Sequence, residues 1–561
     1  MRKSHEISLS ILTGAVILLC LAPQFAGGVA GNQEIFSDVT DAAGITWQHF
    51  SGESSDRIMI EAASGGVAFV DYDGDGLLDI FLVNGGETPK GKSPTPIKNA
   101  LYRNLGNGKF EDVTAKSGLA KLPFYGMGAA VADFDNDGHS DIYITGFPQS
   151  ALFHNNGNGT FTDVTEKAGV KNAGKWSACA VWFDYDRDGN LDLLVCNYTA
   201  LSFENPKDCQ FNGTRTYCDQ KIYPGLPLTL YHNNGNGTFT DVSKSSGVEQ
   251  FVGRALGAVA IDVNDDGWPD LFIARDASPN LLLINRHDGT FEDRGLDAEI
   301  AYDENGIAKA GMGIDAGDVT GNGRPAFVVT NFNDEYHSIF VNPGKFPYED
   351  WTVRSHLAAL TKADVGWGVH FLDYDNDGSL DLVIVNGHLN QVIEMARGDV
   401  KYKQPPLLLR NDGHGVFDSV QVEAGEAFRK GYNGRGLAVG DYDNDGAVDL
   451  IFTALNQRPV LLHNNRGGAN YWIGVQLVGS KSNRDAIGAK LTLTADNRTL
   501  VRWITGGSSY ISSHDKRVVF GLGPQAPKRL SLAIRWPSGQ TQNVSDLTLR
   551  KYQDIRESVT P

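Results

Sequence analysis

The chain has 561 residues, with 65 glycines against 21 prolines, 41% hydrophobic and 21% charged side chains, and 49 Lys and Arg against 68 Asp and Glu for a formal net charge of −19. This glycine content, 10% aromatics and the lack of long charge blocks argue against a disordered chain and against a helical bundle. Such an acidic surface repels phosphate backbones and anionic lipid, so neither nucleic acid nor a membrane surface is expected as a partner; cations are.

In chain order, Arg2 and Lys3 precede an apolar run from Ile11 to Leu21 and small residues ending at Ala30. The run is too short to span a bilayer and reads as a signal peptide cleaved after Ala30. Leu19 stands before Cys20 where a lipid-acceptor cysteine is usually preceded by a small residue, which disfavours a lipid anchor. An extracellular or periplasmic protein with no membrane insertion after cleavage follows, with a mature charge of −20 and four cysteines. In that setting Cys209 and Cys218 are expected to clip one polar insertion. Cys179 and Cys196 flank a tight turn at near-equal distances, and they either bridge adjacent strands or remain two buried thiols.

An internal repeat dominates the chain after Phe36. The phrase Asp71-Tyr-Asp73-Gly-Asp75-Gly76-Leu-Leu-Asp79 recurs with carboxylates at Asp133, Asp135, Asp137 and Asp141, and again at Asp184, Asp186, Asp188 and Asp192. It returns with Asp262, Asn264, Asp266 and Asp270, with Asp373, Asp375, Asp377 and Asp381, and with Asp441, Asp443, Asp445 and Asp449. A degenerate copy begins at Asp318 and carries Thr320, Asn322 and Ala326 in place of the other acids. Short apolar runs flank each copy, and a third run ends in Tyr102-Arg-Asn104, Phe153-His-Asn155, Tyr231-His-Asn233 or Leu462-His-Asn464. An Asn-Gly turn then leads to a fourth strand such as Phe161-Thr-Asp-Val-Thr165. Four short strands in seven units predict an all-β chain with a seven-bladed β-propeller over residues 36–466. The unpaired fourth strand Phe36-Ser-Asp-Val-Thr40 is expected to complete the seventh blade, whose own unit lacks one, and so remove the open edges.

Carboxylates at positions 1, 3, 5 and 9 around a sharp glycine turn offer hard oxygen donors suited to Ca²⁺. An EF-hand is excluded, because position 12 is Leu82, Ile144, Val195 or Phe452 rather than Glu, and the flanking elements are strands. Asp and Gly also favour turns for backbone reasons alone, but turn geometry does not require the carboxylate at position 9. Six calcium sites are therefore expected, with the Asp318 loop empty. Of the histidines, His154, His232 and His463 share one third-strand position and suggest a structural role, while His139 lies at position 7, where the backbone carbonyl would bind.

These loops and strands resemble the FG-GAP/VCBS repeats also seen in integrin α-chains. The tail segments Asn470-Tyr-Trp-Ile-Gly-Val-Gln-Leu-Val-Gly479, Ser482-Asn-Arg-Asp485-Ala-Ile-Gly488-Ala and Arg535-Trp536-Pro537-Ser538-Gly539 are similar to the ASPIC/UnbV domain. Alternating strands make residues 470–558 a small β-sandwich-like domain. Together these features resemble the cartilage acidic protein family, which implies a secreted, calcium-loop-bearing protein and no activity to carry over.

No zinc-protease, nucleophile-elbow or phosphate-loop motif is present. The expected function is an exported, calcium-stabilised, non-catalytic adhesion or recognition scaffold for a glycan or protein. The alternative is an extracellular glycan-active hydrolase or lyase on the same frame. Loop-length variation places recognition opposite the acid loops: connections from the second to the third strand run from five residues (275–279) to 30 (198–227), while the acid loops barely vary. At the start of these connections Asn84, Asn197, Arg275, Asp276, Asn331, Asn333, His388, Asn390 and Asn456 are expected to form a ring of hydrogen-bonding groups. Asn197 and Asn212 also match glycosylation acceptors.

Overall fold

The computed structural model describes residues 34–466 and 468–558. The expected signal peptide, residues 1–30, and Cys20 lie outside them. Seven antiparallel four-stranded sheets follow one another, and their strands are lettered A to D from the inside of the ring outwards. Blade 1 is Val67–Val70, Asp79–Leu82, Ala100–Asn104 and Phe110–Asp112. The A strands of blades 2 to 7 are Tyr125–Ala132, Ser177–Phe183, Ala255–Ile261, Ile314–Gly317, Gly366–Leu372 and Gly434–Gly440. Phe36–Asp38 pairs with Val460–Asn464, with Phe36 opposite Asn464, so the first strand closes the last blade as the sequence predicts.

Each signature of the repeat has a mechanical role. Asp163 Oδ1 accepts the Thr165 N–H at 3.0 Å, and Thr165 Oγ1 accepts the Leu152 N–H at 2.9 Å, so Asp-Val-Thr turns the chain out of strand D and ties it to strand C. The Asn that ends strand C reaches the preceding blade. Asn155 Nδ2 donates to the Tyr72 carbonyl at 2.8 Å, and Asn233, Asn285, Asn342, Asn411 and Asn464 repeat the bond to Phe134, Tyr185, Val263, Val319 and Tyr374.

The tail builds two sheets. Tyr471–Val478 lies between Val518–Gly523 and Tyr552–Arg556, the latter parallel, and Lys490–Ala495 lies between Arg498–Trp503 and Leu530–Arg535, with Thr541–Val544 at the edge. Their buried faces meet in a core that includes Ile473, Leu491, Phe520, Ile534 and Trp536 and runs on into Phe134 and Trp182 of blades 2 and 3.

The tail is not a separate appendage. Between its third and fourth strands, residues 505–515 enter the channel along the ring axis and bond to A strands. Gly506 O accepts from Trp182 N at 3.1 Å, Ile511 O from Ala129 N at 3.3 Å, Ser513 O from Phe69 N at 3.2 Å, and Ser509 O from Ile314 N at 3.1 Å. A Cβ on Gly66 would lie 2.4 Å from the Ile511 carbonyl oxygen, and one on Gly128 2.7 Å from the Ile511 side chain, so glycine there is required by close approach. From the other side Ile58, Met59 and Ile60 pack with Trp176, Tyr198, Trp367, Tyr510 and Ile511, beneath the insertion clipped by Cys209–Cys218. Cys179 and Cys196 are free buried thiols, so the second disulfide alternative is not adopted. Strand A bulges between Ser177 and Ala180, which takes Cys179 out of regular cross-strand register with Cys196.

Candidate metal centre and ligand face

The acid loops join strands A and B. Position 1 organises the turn: Asp133 accepts the N–H groups of Asp137 and Gly138 at 3.0 and 2.8 Å, with Gly138 at φ 96°. Position 5 accepts the N–H of position 7, as in Asp137 with His139 at 2.8 Å. Blade 5 makes the same turn with Asp318 accepting from Asn322 and Gly323 at 3.0 and 2.8 Å, and with Asn322 standing in at position 5. The extra negative charges of the other six loops are therefore not needed for the turn itself.

Position 9 differs from expectation. Asp79 accepts from Asn104 N at 2.7 Å through Oδ1 and from Tyr72 N at 3.1 Å through Oδ2. Asp141, Asp192, Asp270, Asp381 and Asp449 do the same for their own blades. Its recurrence has a structural cause, the joining of strands A, B and C, and is not by itself a metal signature.

The donors nevertheless fit a hard cation. Oxygens of Asp71, Asp73 and Asp79, and of Asp133, Asp135 and Asp137, lie within 4.8 Å of one another. Asp73 Oδ1 is buried without a hydrogen-bond partner. Burial, reinforced by neighbouring carboxylates, pushes Asp79 and Asp184 up to about 8 and Asp133 and Asp373 up to about 7. Carboxylates so placed resist ionisation unless a cation joins them.

Sequence reasoning missed what sits beside these acids. His154 Nδ1 lies 3.1 Å from Asp141 Oδ1 and 3.4 Å from Asp135 Oδ2, and His232 and His463 repeat the arrangement in blades 3 and 7. At the same position in blade 1, Arg103 Nε lies 2.6 Å from Asp73 and Nη2 3.1 Å from Asp75. The recurrence of this position just before the strand C Asn was the available signal. It gave no distance, because strand C and the loop meet only when the strands pair.

The tail covers this face. Arg535 Nη2 reaches Asp262 Oδ2 at 2.5 Å, Tyr552 Oη donates to Asp441 Oδ2 at 2.8 Å, and Arg517 Nη2 donates to the Asp441 carbonyl at 2.7 Å. Asp485 Oδ2 accepts the Asp133 N–H at 2.9 Å, and Arg498 Nη2 donates to the Asp377 carbonyl at 2.6 Å.

On the opposite face the nine expected ligand residues do not form an open polar ring. Asn84, Asn197, Arg275, Asp276, Asn331, Asn333 and His388 are buried, Asn390 is half-buried, and Asn456 alone is exposed. Asn84 Oδ1 accepts from Phe50 N at 2.7 Å, Asn197 Nδ2 donates to the Pro227 carbonyl at 2.8 Å, and Asn331 Nδ2 to the Tyr336 carbonyl at 2.8 Å. Arg275 Nε donates to the Pro279 carbonyl, and Asp276 accepts from Tyr198 Oη and from Gln220 Nε2. Asn333 donates to Asp334 at 3.0 Å, Asn390 N donates to His388 Nδ1 at 3.0 Å, and Asn456 Oδ1 accepts from Ser51 N at 2.9 Å. Short polar side chains after a strand serve turn backbone here. The same burial takes Asn197 out of reach as a glycosylation acceptor, while Asn212 is exposed.

Residues 71–144, 133–195, 224–273, 262–329 and 318–384 match the FG-GAP-like repeat family, and residues 479–561 match the ASPIC and UnbV family. Cartilage acidic protein 1 of Mus musculus is 24% identical over 493 residues, covering 85% of this chain and 61% of that protein. The Homo sapiens protein of the same name is 24% identical over 510 residues, covering 87% and 62%. The chain thus spans about three-fifths of the length of these curated relatives. A solved Agrocybe aegerita lectin that recognises non-reducing terminal N-acetylglucosamine aligns with a TM-score of 0.37 and 17% identity, covering 64% of this chain and 79% of its own. The chain is similar to cartilage acidic protein 1 over most of its length; it belongs to the FG-GAP repeat family and carries a C-terminal ASPIC/UnbV domain.

Proposed function

We propose that the chain is an exported, non-catalytic recognition scaffold for an extracellular glycan or protein, stabilised by calcium in the six acid loops. The observation that carries this reading is the contrast between blade 5, which makes the turn with one carboxylate, and the other loops, which crowd three or four carboxylates into the same turn. Asp71, Asp73, Asp75 and Asp79, and their counterparts in the other filled loops, would hold the ion. Bound calcium would supply charge neutralisation. The chain itself orients the donors through backbone N–H groups and holds the loops under the tail. Export is supported by the leader segment and by the Cys209–Cys218 disulfide. Among the described residues, no helix is long and apolar enough to cross a membrane. A scaffold rather than an enzyme is supported by the ring axis, where residues 505–515 and 58–60 enter the channel and leave beside them a cavity of about 140 Å³ lined by Asp315, His370, Arg502 and His514, below the usual range for a small-ligand site. The test pairs melting in calcium and in chelator with turnover assays on a polysaccharide panel. Calcium-dependent melting without turnover is expected; turnover abolished by mutating an acid outside the loops would overturn the non-catalytic reading.

A further inference from the structure

On the face away from the acid loops, a groove of about 660 Å³ opens between blades 1 and 2. Its walls come from the strand B to C connection of blade 1, the entry to blade 2, the end of strand B of blade 2, and the disulfide-clipped insertion of blade 3. These are the variable connections of a rigid frame, and the volume lies within the usual range for a small-ligand site.

The chemistry of the lining narrows the ligand. At one end the half-buried Phe203 meets the buried Phe147 edge to face with centroids 5.1 Å apart, so that Phe203 provides the apolar ring surface. Pro94, Pro96, Pro123 and Pro148 line the walls and have no N–H, so the wall backbone offers carbonyl acceptors in excess of donors. The Tyr125 hydroxyl, which would supply a donor, is spent on the Ser51 carbonyl at 2.7 Å. Among the lining side chains, Ser93 Oγ donates to the Thr95 carbonyl and Asn99 Nδ2 to the Leu119 carbonyl, which leaves Thr95 and Lys121 as donors; a proline-rich peptide brings mainly acceptors, whereas a polyol brings hydroxyl donors. Charge points the same way. Glu87 is paired with Lys92 at 3.0 Å, and Lys121 also lines the groove, so a site on a chain of net charge −19 is locally balanced. Polyanionic glycans are repelled by the whole molecule and gain no basic cluster at the site.

We propose that this groove binds two or three residues of a neutral polysaccharide, a C–H face against Phe203 and its hydroxyls on the proline-rich walls. The proposal rests on the recognition-scaffold reading and gives it a ligand class and a place.

The test uses the full chain in calcium buffer, titrated calorimetrically with cello-, manno-, galacto- and chito-hexaose. Two variants are compared: Phe203→Ala, which removes the aromatic surface, and Thr95→Trp, which fills the groove from its wall. At least one hexaose should bind in the millimolar range or tighter, and both variants should weaken it at least tenfold while keeping calcium-dependent melting. Binding that both variants leave unchanged, or no binding of any hexaose, overturns the proposal. So does variant-sensitive binding of a proline-rich decapeptide or of polygalacturonate in place of the hexaoses. Failure of all four sugars alongside intact calcium-dependent melting and no turnover removes the groove ligand and leaves the scaffold reading standing.

Discussion

Asn104 at the end of strand C in blade 1 donates a 2.8 Å hydrogen bond from Nδ2 to the carbonyl of Tyr442 in the acid loop of blade 7. Both groups are buried, and the bond crosses the point where the ring closes. Removing the amide strands a buried acceptor, so Asn104→Ala should cost about 1–3 kcal/mol in urea unfolding. A change below about 0.5 kcal/mol would show that the seven equivalent bonds are not needed to join blades.

The tail's loop should act as part of the propeller core. Tyr510 is fully buried, donates to the Ala63 carbonyl at 2.7 Å and packs edge-on to Trp367 with centroids 4.8 Å apart. Tyr510→Ala should cost about 3–5 kcal/mol. A chain ending at residue 466 should be unstable, because it empties the channel and uncovers strand A backbone groups. A truncated propeller that melts like the full chain would contradict this.

Asp276 gives a pH prediction of definite sign. Burial pushes its carboxyl up to about 7, opposed by hydrogen bonds from Tyr198 and Gln220. The folded state then holds a proton that the unfolded state has released, so this residue costs stability increasingly as pH rises from about 4 to 7. Asp276→Asn removes that cost. Its stability relative to wild type should improve by about 2–3 kcal/mol between pH 5 and pH 8, a difference in which the other titrating groups cancel. A pH-independent difference in denaturation midpoints would contradict the buried, protonated carboxyl.

The repeat made most of the ring legible. Acid loop, Asn-Gly turn and Asp-Val-Thr are local patterns whose residues act within their own blade, and the orphan strand at Phe36 announced the closure. The channel loop was not legible. Apart from Tyr510 and Ile511, Gly506 to Ser513 is small and polar with no periodicity, and its partners Trp182, Ala129 and Phe69 are hundreds of residues away in the chain. The polar residues after strand B were misread for a different reason. An Asn such as Asn84 or Asn197 has the same sequence appearance whether it faces solvent or holds a turn, and only burial distinguishes the two. His154 and Arg103 were visible as a column, yet their closeness to the acids follows from strand pairing alone.

Exposed acids should separate cation binding from loop folding. Asp135 makes no structural bond of the kind made by Asp133, so Asp135→Asn should remove one calcium equivalent with little loss of stability in chelator. Asp318→Asn should leave the calcium stoichiometry unchanged. Equal loss of calcium in both variants would contradict the distinction between filled and empty loops.

The central claim is tested most directly by calcium itself. At roughly 1 mM free ion and a dissociation constant near 10⁻⁴ M, each loop gains about 1.4 kcal/mol, and six independent loops about 8 kcal/mol. Chelator-stripped protein, dialysed to equilibrium with calcium and then melted at low salt, should take up about six equivalents and melt markedly higher than in chelator. No bound calcium and an unchanged melting temperature would contradict the account.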